Sequence, residues 1–451
     1  MKSGVAAGHP ATCEAGIEIL EDGGSAADAA VAACLASCVA ETVMTGLLGG
    51  GHAIYWDAGS EQAQNLDCFV AVPSGVGAPM VELHVPFGEE LVHYAIGAAS
   101  CGVPGVTAGI AELWRAHGRL PWERLVEPAL RLARDGVPMP PAHVRCLEML
   151  EPVLTLDAGA RIYAPGGTLL QDGDLLEQPG LVRALELLRD EGADSAYTGS
   201  IAEALLALCD ELGGVVTRED LAAYRATWSE PVEVAFTGTR FLTRRGLSGV
   251  PDALSRLPPH ADVVALVETL DLPTDTDGDT TNLVTVDADG NACVLTTSLG
   301  LGSGDYVPGL DLHLNSMLGE ADLLRGEARP GRRMSSMMAP SIALDDDGPA
   351  LGIGAAGGTR LRTALVGVSS AILERDVHPQ QAIDAGRAHP VGGLVHAEPG
   401  VSEDGLAELE RRGRSVRRWP ARHHYFGGVS AIGRSGPAAD PRRSGSARSV
   451  A

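Results

Sequence analysis

Asp277-Gly278-Asp279-Thr280-Thr281-Asn282 is the stretch of this chain whose residue types could do covalent chemistry. An acidic, glycine-containing segment stops at two threonines. A hairpin pattern follows: Leu283 to Val286, a turn at Asp287-Ala288-Asp289-Gly290, then Ala292 to Thr296. Asp-Gly between β-branched and apolar flanks is a strong turn signal. A threonine at the mouth of a strand, freed by cleavage of the loop before it, carries a hydroxyl nucleophile. Its own α-amine can serve as the base. That amine has an ordinary pKa of roughly 7.7–8.0, so much of it is neutral near pH 7. The same triplet also opens ordinary strands, so the weight falls on the rest of the chain.

A second candidate is Gly354-Ala355-Ala356-Gly357-Gly358-Thr359-Arg360. Two adjacent glycines before a helix can point two backbone N–H groups at one anion, as an oxyanion hole requires. A tight strand-to-helix turn uses the same residues. Gly300-Leu301-Gly302-Ser303-Gly304 lacks both a following lysine and phosphate-loop spacing, and reads as a mobile loop over a site. No G-x-S-x-G or H-E-x-x-H motif occurs, and the thirteen histidines show no metal-ligand spacing. His423-His424 reads as a structural strand edge. No metal and no cofactor is expected.

Composition removes several function classes. Lys2 is the only lysine, which excludes a Schiff-base or P-loop lysine in the body of the chain. The net charge of −25 repels phosphate backbones, so no nucleic-acid partner is expected. No apolar run reaches the ~18 residues of a membrane span. No apolar stretch precedes Gly8-His9-Pro10, so a cytoplasmic location is expected. The eight cysteines are scattered without C-x-x-C spacing and read as reduced, mostly buried thiols.

Helices are predicted at 12–22 and 25–40, from 105 to 115, and at 123–134, 141–150, 178–190, 200–212 and 360–375. Strands are predicted near 52–56, 64–72, 232–243, 310–314, 341–345 and 350–354. Residues 244–260 look irregular, one further helix is predicted at 260–270, and the small, polar, arginine-bearing residues 435–451 read as a disordered tail. Helices first and strands later suggest a layered protein of helix and largely antiparallel sheet.

Taken together, these pieces resemble the γ-glutamyltranspeptidase family of N-terminal nucleophile hydrolases. The resemblance covers most of the chain. It runs through Ala6-Ala7-Gly8-His9-Pro10, Gly23-Gly24-Ser25-Ala26-Ala27-Asp28, Gly49-Gly50-Gly51, Val103-Pro104-Gly105 and Gly118-Arg119-Leu120-Pro121-Trp122. It continues through Asp220-Leu221-Ala222-Ala223-Tyr224, Glu230-Pro231-Val232, Thr280-Thr281, Met338-Ala339-Pro340 and Gly357-Gly358. The resemblance implies an α+β fold, a four-layer αββα sandwich. It implies a cut between Asp279 and Thr280, giving a large portion 1–279 and a small portion from 280 to 434 that stay together as one unit. It also implies that Thr280 is the nucleophile, that Ser298 stands where the family has an orienting threonine, and that Gly357 and Gly358 stabilise the oxyanion. The implied partners are a small-molecule amide or peptide substrate and water or an amine acceptor.

The departures bear on the substrate. Phe69 stands where the family's carboxylate-gripping arginine belongs, and Met317, Glu320, Ser336 and Met337 occupy the other glutamyl-binding positions. Gly300 occupies the region of a family asparagine. Arg332, Arg333 and Arg360 are the arginines that could substitute from another direction. The family default is transfer or hydrolysis of a γ-glutamyl group. The alternatives are an amidase for a more apolar acyl group, or a non-catalytic descendant acting as a binding module.

Overall fold

A computed structural model describes residues 1–87, 90–271, 280–320, 323–325 and 328–450. Two antiparallel sheets dominate it. In chain order their strands are β1 (Gly4–Ala7), β2 (Gly50–Asp57), β3 (Gln62–Cys68), β4 (Thr227–Ser229), β5 (Val232–Phe236), β6 (Thr239–Thr243) and β7 (Thr281–Val286). They continue as β8 (Ala292–Ser298), β9 (Ser341–Asp345), β10 (Gly348–Ala356), β11 (Gly428–Gly433), β12 (Gly436–Ala439) and β13 (Ser446–Ser449). The first sheet has the order β13-β1-β7-β8-β2-β3-β4, and the second β12-β11-β10-β9-β6-β5.

Period-two alternation sorts the strand side chains into three buried layers. Ala6, Ile54, Val284, Val286, Val294, Ile342 and Ile432 pack between the sheets. Val5, Leu283, Cys293 and Leu295 face the other way, into helices α1 (Pro10–Glu21), α2 (Ala26–Ala40), α3 (Val106–His117) and α4 (Trp122–Asp135). On the far side of the second sheet, Leu351, Ile353, Ala355 and Val429 meet Leu361, Ala364 and Leu365 of α5 (Arg360–Arg375). The molecule is the expected αββα sandwich. No helix among the described residues is long and apolar enough to cross a membrane.

Helix α2 is buried along its whole length, which its run of alanine, cysteine and serine permits. It starts at a capping box: Asp28 N–H donates to Ser25 Oγ at 3.1 Å, and Ser25 N–H donates to Asp28 Oδ2 at 2.9 Å.

Four sequence expectations need correction. The single strand expected over 232–243 is a hairpin, β5 and β6, turning at Thr237-Gly238, both with positive φ. The irregular stretch 244–260 contains a helix, Val250–Arg256. The glycine loop 300–304 is buried rather than an open flap: His313 Nε2 accepts from Gly304 N–H at 3.0 Å, and Ser303 N–H donates to Leu314 O at 2.9 Å. His423-His424 forms no strand edge; His423 caps a 3-10 turn over His424–Phe426 that leads into β11.

The supposed disordered tail is also ordered. β12 pairs with β11, and β13 pairs with β1 in the register Gly4↔Ser449. Small polar residues with arginines resemble a solvated tail in sequence. Here the charges are paired inside: Arg442 and Glu398 are both fully buried at 2.5 Å, and Arg387 meets Asp440 at 2.5 Å.

Candidate active site

The site grows from four strand ends. The β7–β8 register pairs Thr281 with Thr297, so Thr280 stands opposite Ser298 one residue further along. Ser298 pairs with Gly50 of β2, and the β2–β3 register, Gly51↔Cys68, continued one residue sets Phe69 opposite Gly50. Thr280, Ser298, Gly50 and Phe69 therefore form a row across the first sheet. At about 4.8 Å per strand, Phe69 lies roughly 14 Å from Thr280 along that row.

Alternation also fixes the faces. Thr281 and Thr285 point toward the helices; Thr285 Oγ1 donates to Ala26 O at 2.7 Å. Thr280 shares the opposite, inter-sheet face with Asn282 and Val284. Asn282 ties the sheets together beside it. Its Nδ2 donates to Gly428 O at 3.3 Å, and its Oδ1 accepts from Ser430 N–H at 3.1 Å. Thr280 itself is 6% exposed and lines a small cleft with Thr281, Asn282, Ala356, Glu41 and Arg443.

Ala356 is the last residue of β10, so Gly357 and Gly358 leave the second sheet at the edge of the same cleft. Their φ values are +119° and +56°, and a Cβ at Gly357 would come 2.7 Å from Gly427 Cα. Only glycine fits that turn. The Gly357 and Gly358 carbonyls accept from Arg360 and Leu361 N–H at 3.1 and 3.2 Å, which starts α5. Consecutive N–H groups at a helix N-terminus favour an anion.

Ser298 Oγ accepts from Gly300 N–H at 2.8 Å. Glu320, 6% exposed, brings its carboxyl against Gly300, and neighbouring Ser316 Oγ accepts from Leu301 N–H at 3.1 Å. Ser298, Gly300 and Glu320 thus come together in the structure.

The other positions that the resemblance assigns to glutamyl binding do not line the Thr280 cleft and are apolar or backbone-bound. Phe69 and Met317 sit in one buried cluster with Val70, Leu323, Met334 and Met338. Ser336 Oγ accepts from Met338 N–H at 3.2 Å, and Met337 is buried at 8% exposure. Of the arginines proposed as substitutes, Arg333 pairs with Asp67 at 3.4 Å and covers the Tyr224 ring, while Arg360 donates to Tyr425 O at 3.2 Å. Asp279, the residue expected on the far side of the cut, lies outside the described residues.

Sequence inspection overlooked three charged groups that the fold delivers. Arg244 donates to Ser336 O at 3.2 Å and Met338 O at 3.0 Å, and burial pulls its pKa down to about 10. Arg443 arrives from the C-terminal segment, with Nη1 3.3 Å from Met44 Sδ. Glu41, just past α2, accepts from Thr12 and Thr281 hydroxyls; burial pushes its carboxyl up to about 7 against those two bonds and Arg443. The Glu-x-x-Met spacing after a capped helix carries no local signal for such a role.

Comparison with known proteins agrees with this geometry. The family model described as Gamma-glutamyltranspeptidase matches residues 12–257 and 254–450. The chain is 28% identical to an acylase ACY 1 proenzyme of Pseudomonas sp. (strain SE83), over 95% of this chain and 89% of that protein. It is 25% identical to the glutathione hydrolase proenzyme of Bacillus subtilis (strain 168), over 92% and 85%. The crystal structure of a cephalosporin acylase from Bacillus halodurans superposes with a TM-score of 0.82 at 24% identity, covering 99% of this chain and 96% of that one. With a matching family model over nearly its whole length and the fold that goes with it, the chain belongs to the γ-glutamyltranspeptidase family of N-terminal nucleophile hydrolases, enzymes that transfer or hydrolyse amide-linked acyl groups.

Proposed function

We propose that the chain is made as a precursor, cleaves itself between Asp279 and Thr280, and then uses Thr280 to move an acyl group from an amide to water or an amine. The observation that carries this reading is the register that sets Thr280 opposite Ser298 on the inter-sheet face, beside the strand leading to Gly357-Gly358. The portions 1–279 and 280–450 stay together because β7 and β8 lie between β1 and β2 in one sheet.

The free α-amine of Thr280 takes the hydroxyl proton as Oγ1 attacks the amide carbon. The tetrahedral oxyanion collects the Gly357 and Gly358 N–H groups. Collapse breaks the C–N bond, and the ammonium proton passes to the leaving amine. Water or an acceptor amine then attacks the ester and gives a proton to the α-amine, which passes it to Thr280 Oγ1 as the ester C–O bond breaks.

Two relatives carry the names glutathione hydrolase and acylase, so the acyl group is either γ-glutamyl or a more apolar one. The Phe69 and Met317 cluster favours the apolar reading, because a carboxylate buried there would be desolvated without a paired donor from position 69. Intact-mass measurement and a denaturing gel test the proposal. Two fragments are expected from the wild type and one from Thr280→Ala; an uncut, inactive wild type would overturn it. Release from γ-glutamyl-anilide against apolar acyl-anilides then decides the acyl class.

A further inference from the structure

Glu41 is a buried carboxyl next to the nucleophile that the chemistry above does not use. It follows the last residue of α2 and is completely buried. Thr12 of α1 donates its hydroxyl to Oε1 at 2.6 Å, and Thr281, the first residue of β7, donates to Oε2. A Cβ at Gly8 would lie 2.5 Å from Oε2 and 2.8 Å from Thr281 Oγ1, so only glycine lets the chain after β1 pass over this contact. Glu41 also lines the cleft that holds Thr280.

We propose that the ionised Glu41 carboxylate is the positioning residue for Thr280, acting through the clamp Thr12–Glu41–Thr281. The proposal rests on the reading of Thr280 as nucleophile. Thr281 is its covalent neighbour, so tethering the Thr281 hydroxyl to the end of a buried helix sets where Thr280 begins. Both carboxyl oxygens accept from hydroxyls, which is the arrangement an ionised carboxylate satisfies. A protonated carboxyl must donate from one oxygen, so one threonine hydroxyl has to turn away. Burial already holds this carboxyl near neutrality, so the clamp loosens within an ordinary assay range. Among the described residues, the titratable or charged groups facing it are Arg443 from the C-terminal turn and the Cys34 thiol on α2. Cleavage adds the Thr280 α-amine to the same cleft.

The test is the pH–rate profile of purified, processed enzyme on whichever acyl-anilide the wild type turns over, with self-cleavage followed by intact mass. Thr12→Val removes one bond to the ionised form from a helix that does not line the cleft. It should move the acid limb upward by about one pH unit, as a lost charge-assisted hydrogen bond does. Glu41→Gln removes the titration and the negative charge beside the amine, so its limb should move downward. Its plateau should fall by about 10- to 100-fold, the effect of a small displacement of reacting atoms. A merely structural role would lower plateaus and leave both midpoints in place. If Glu41→Gln does not fold, the Thr12→Val midpoint decides alone. A cut, active wild type with unmoved midpoints would overturn this inference only. An uncut, inactive wild type would overturn the reading of Thr280, and this inference with it.

Discussion

Arg442 offers the sharpest test of the claim that the C-terminal segment belongs to the working fold. Its guanidinium is completely buried and donates to both Glu398 oxygens (Nε at 2.8 and 3.0 Å, Nη2 at 2.5 Å), to Asp440 Oδ1 at 3.2 Å, and to the Ile383 and Ala385 carbonyls at 2.8 Å each. Arg442→Met keeps much of the volume and removes every one of those donors. Asp440 retains Arg387 at 2.5 Å and the Val429 N–H at 3.1 Å. Glu398 retains the backbone N–H groups of Arg387 and His423, both at 3.1 Å. Removing one partner of a buried ion pair costs about 3–5 kcal/mol. The surviving partners place this case near about 3 kcal/mol, roughly two orders of magnitude in the folding equilibrium. Burial by itself would raise the Asp440 carboxyl; the Arg387 and Arg442 guanidinium groups outweigh it and hold the carboxyl below its ordinary value of 3.8. A depressed acid stabilises the fold above its unfolded value, and that increment disappears as pH falls through the folded one. Arg442→Met should therefore show its largest deficit at neutral pH and a smaller one below 3.8. Urea unfolding in the uncleaved Thr280→Ala background, read by tryptophan fluorescence, measures both. A loss under about 1 kcal/mol at pH 7 would refute the argument. Because β13 pairs with β1, and β1 with β7, the same variant without Thr280→Ala should process slowly.

Gly357→Ala should cut turnover by about 10²- to 10³-fold, because the new Cβ displaces an oxyanion donor. Steady-state kinetics on the best anilide checks this, and a loss below about threefold would remove Gly357 from that role. Ser298→Ala strands the Gly300 N–H and removes the hydroxyl opposite Thr280, so kcat should fall while the two fragments still associate on gel filtration. Phe69→Arg should not install γ-glutamyl recognition. It buries a cation among Met317, Met334 and Met338, near Arg244 and Arg333, which already flank Asp67. Lower thermal stability with no gain in kcat/KM for γ-glutamyl-anilide is expected; a folded variant with a clear gain would refute it.

Much of the fold was legible because it is written in local patterns. Helix α5 was expected over 360–375 and spans Arg360–Arg375, since its start is a Gly-Gly turn and its apolar spacing is helical. The β7–β8 hairpin was legible from Asp-Gly between β-branched flanks, while the register that sets Thr280 opposite Ser298 is read from the structure. The hairpin at Thr237-Gly238 was missed because alternation continues across the turn and only a positive φ marks it.

What the sequence by itself offered is a set of candidates: Thr280 at the mouth of a predicted strand and Gly357-Gly358 before a predicted helix, each written in a local pattern, with Ser298 added by the family resemblance. What only the tertiary structure decided is everything contributed from far away. Glu41 meets Thr281 across 240 residues, and Arg387 meets Asp440 across 53. Arg443 enters the Thr280 cleft from a segment whose composition resembles a solvated tail. The physical reason is that a buried charge is defined by its partners and its desolvation, and neither exists until the sheets have stacked.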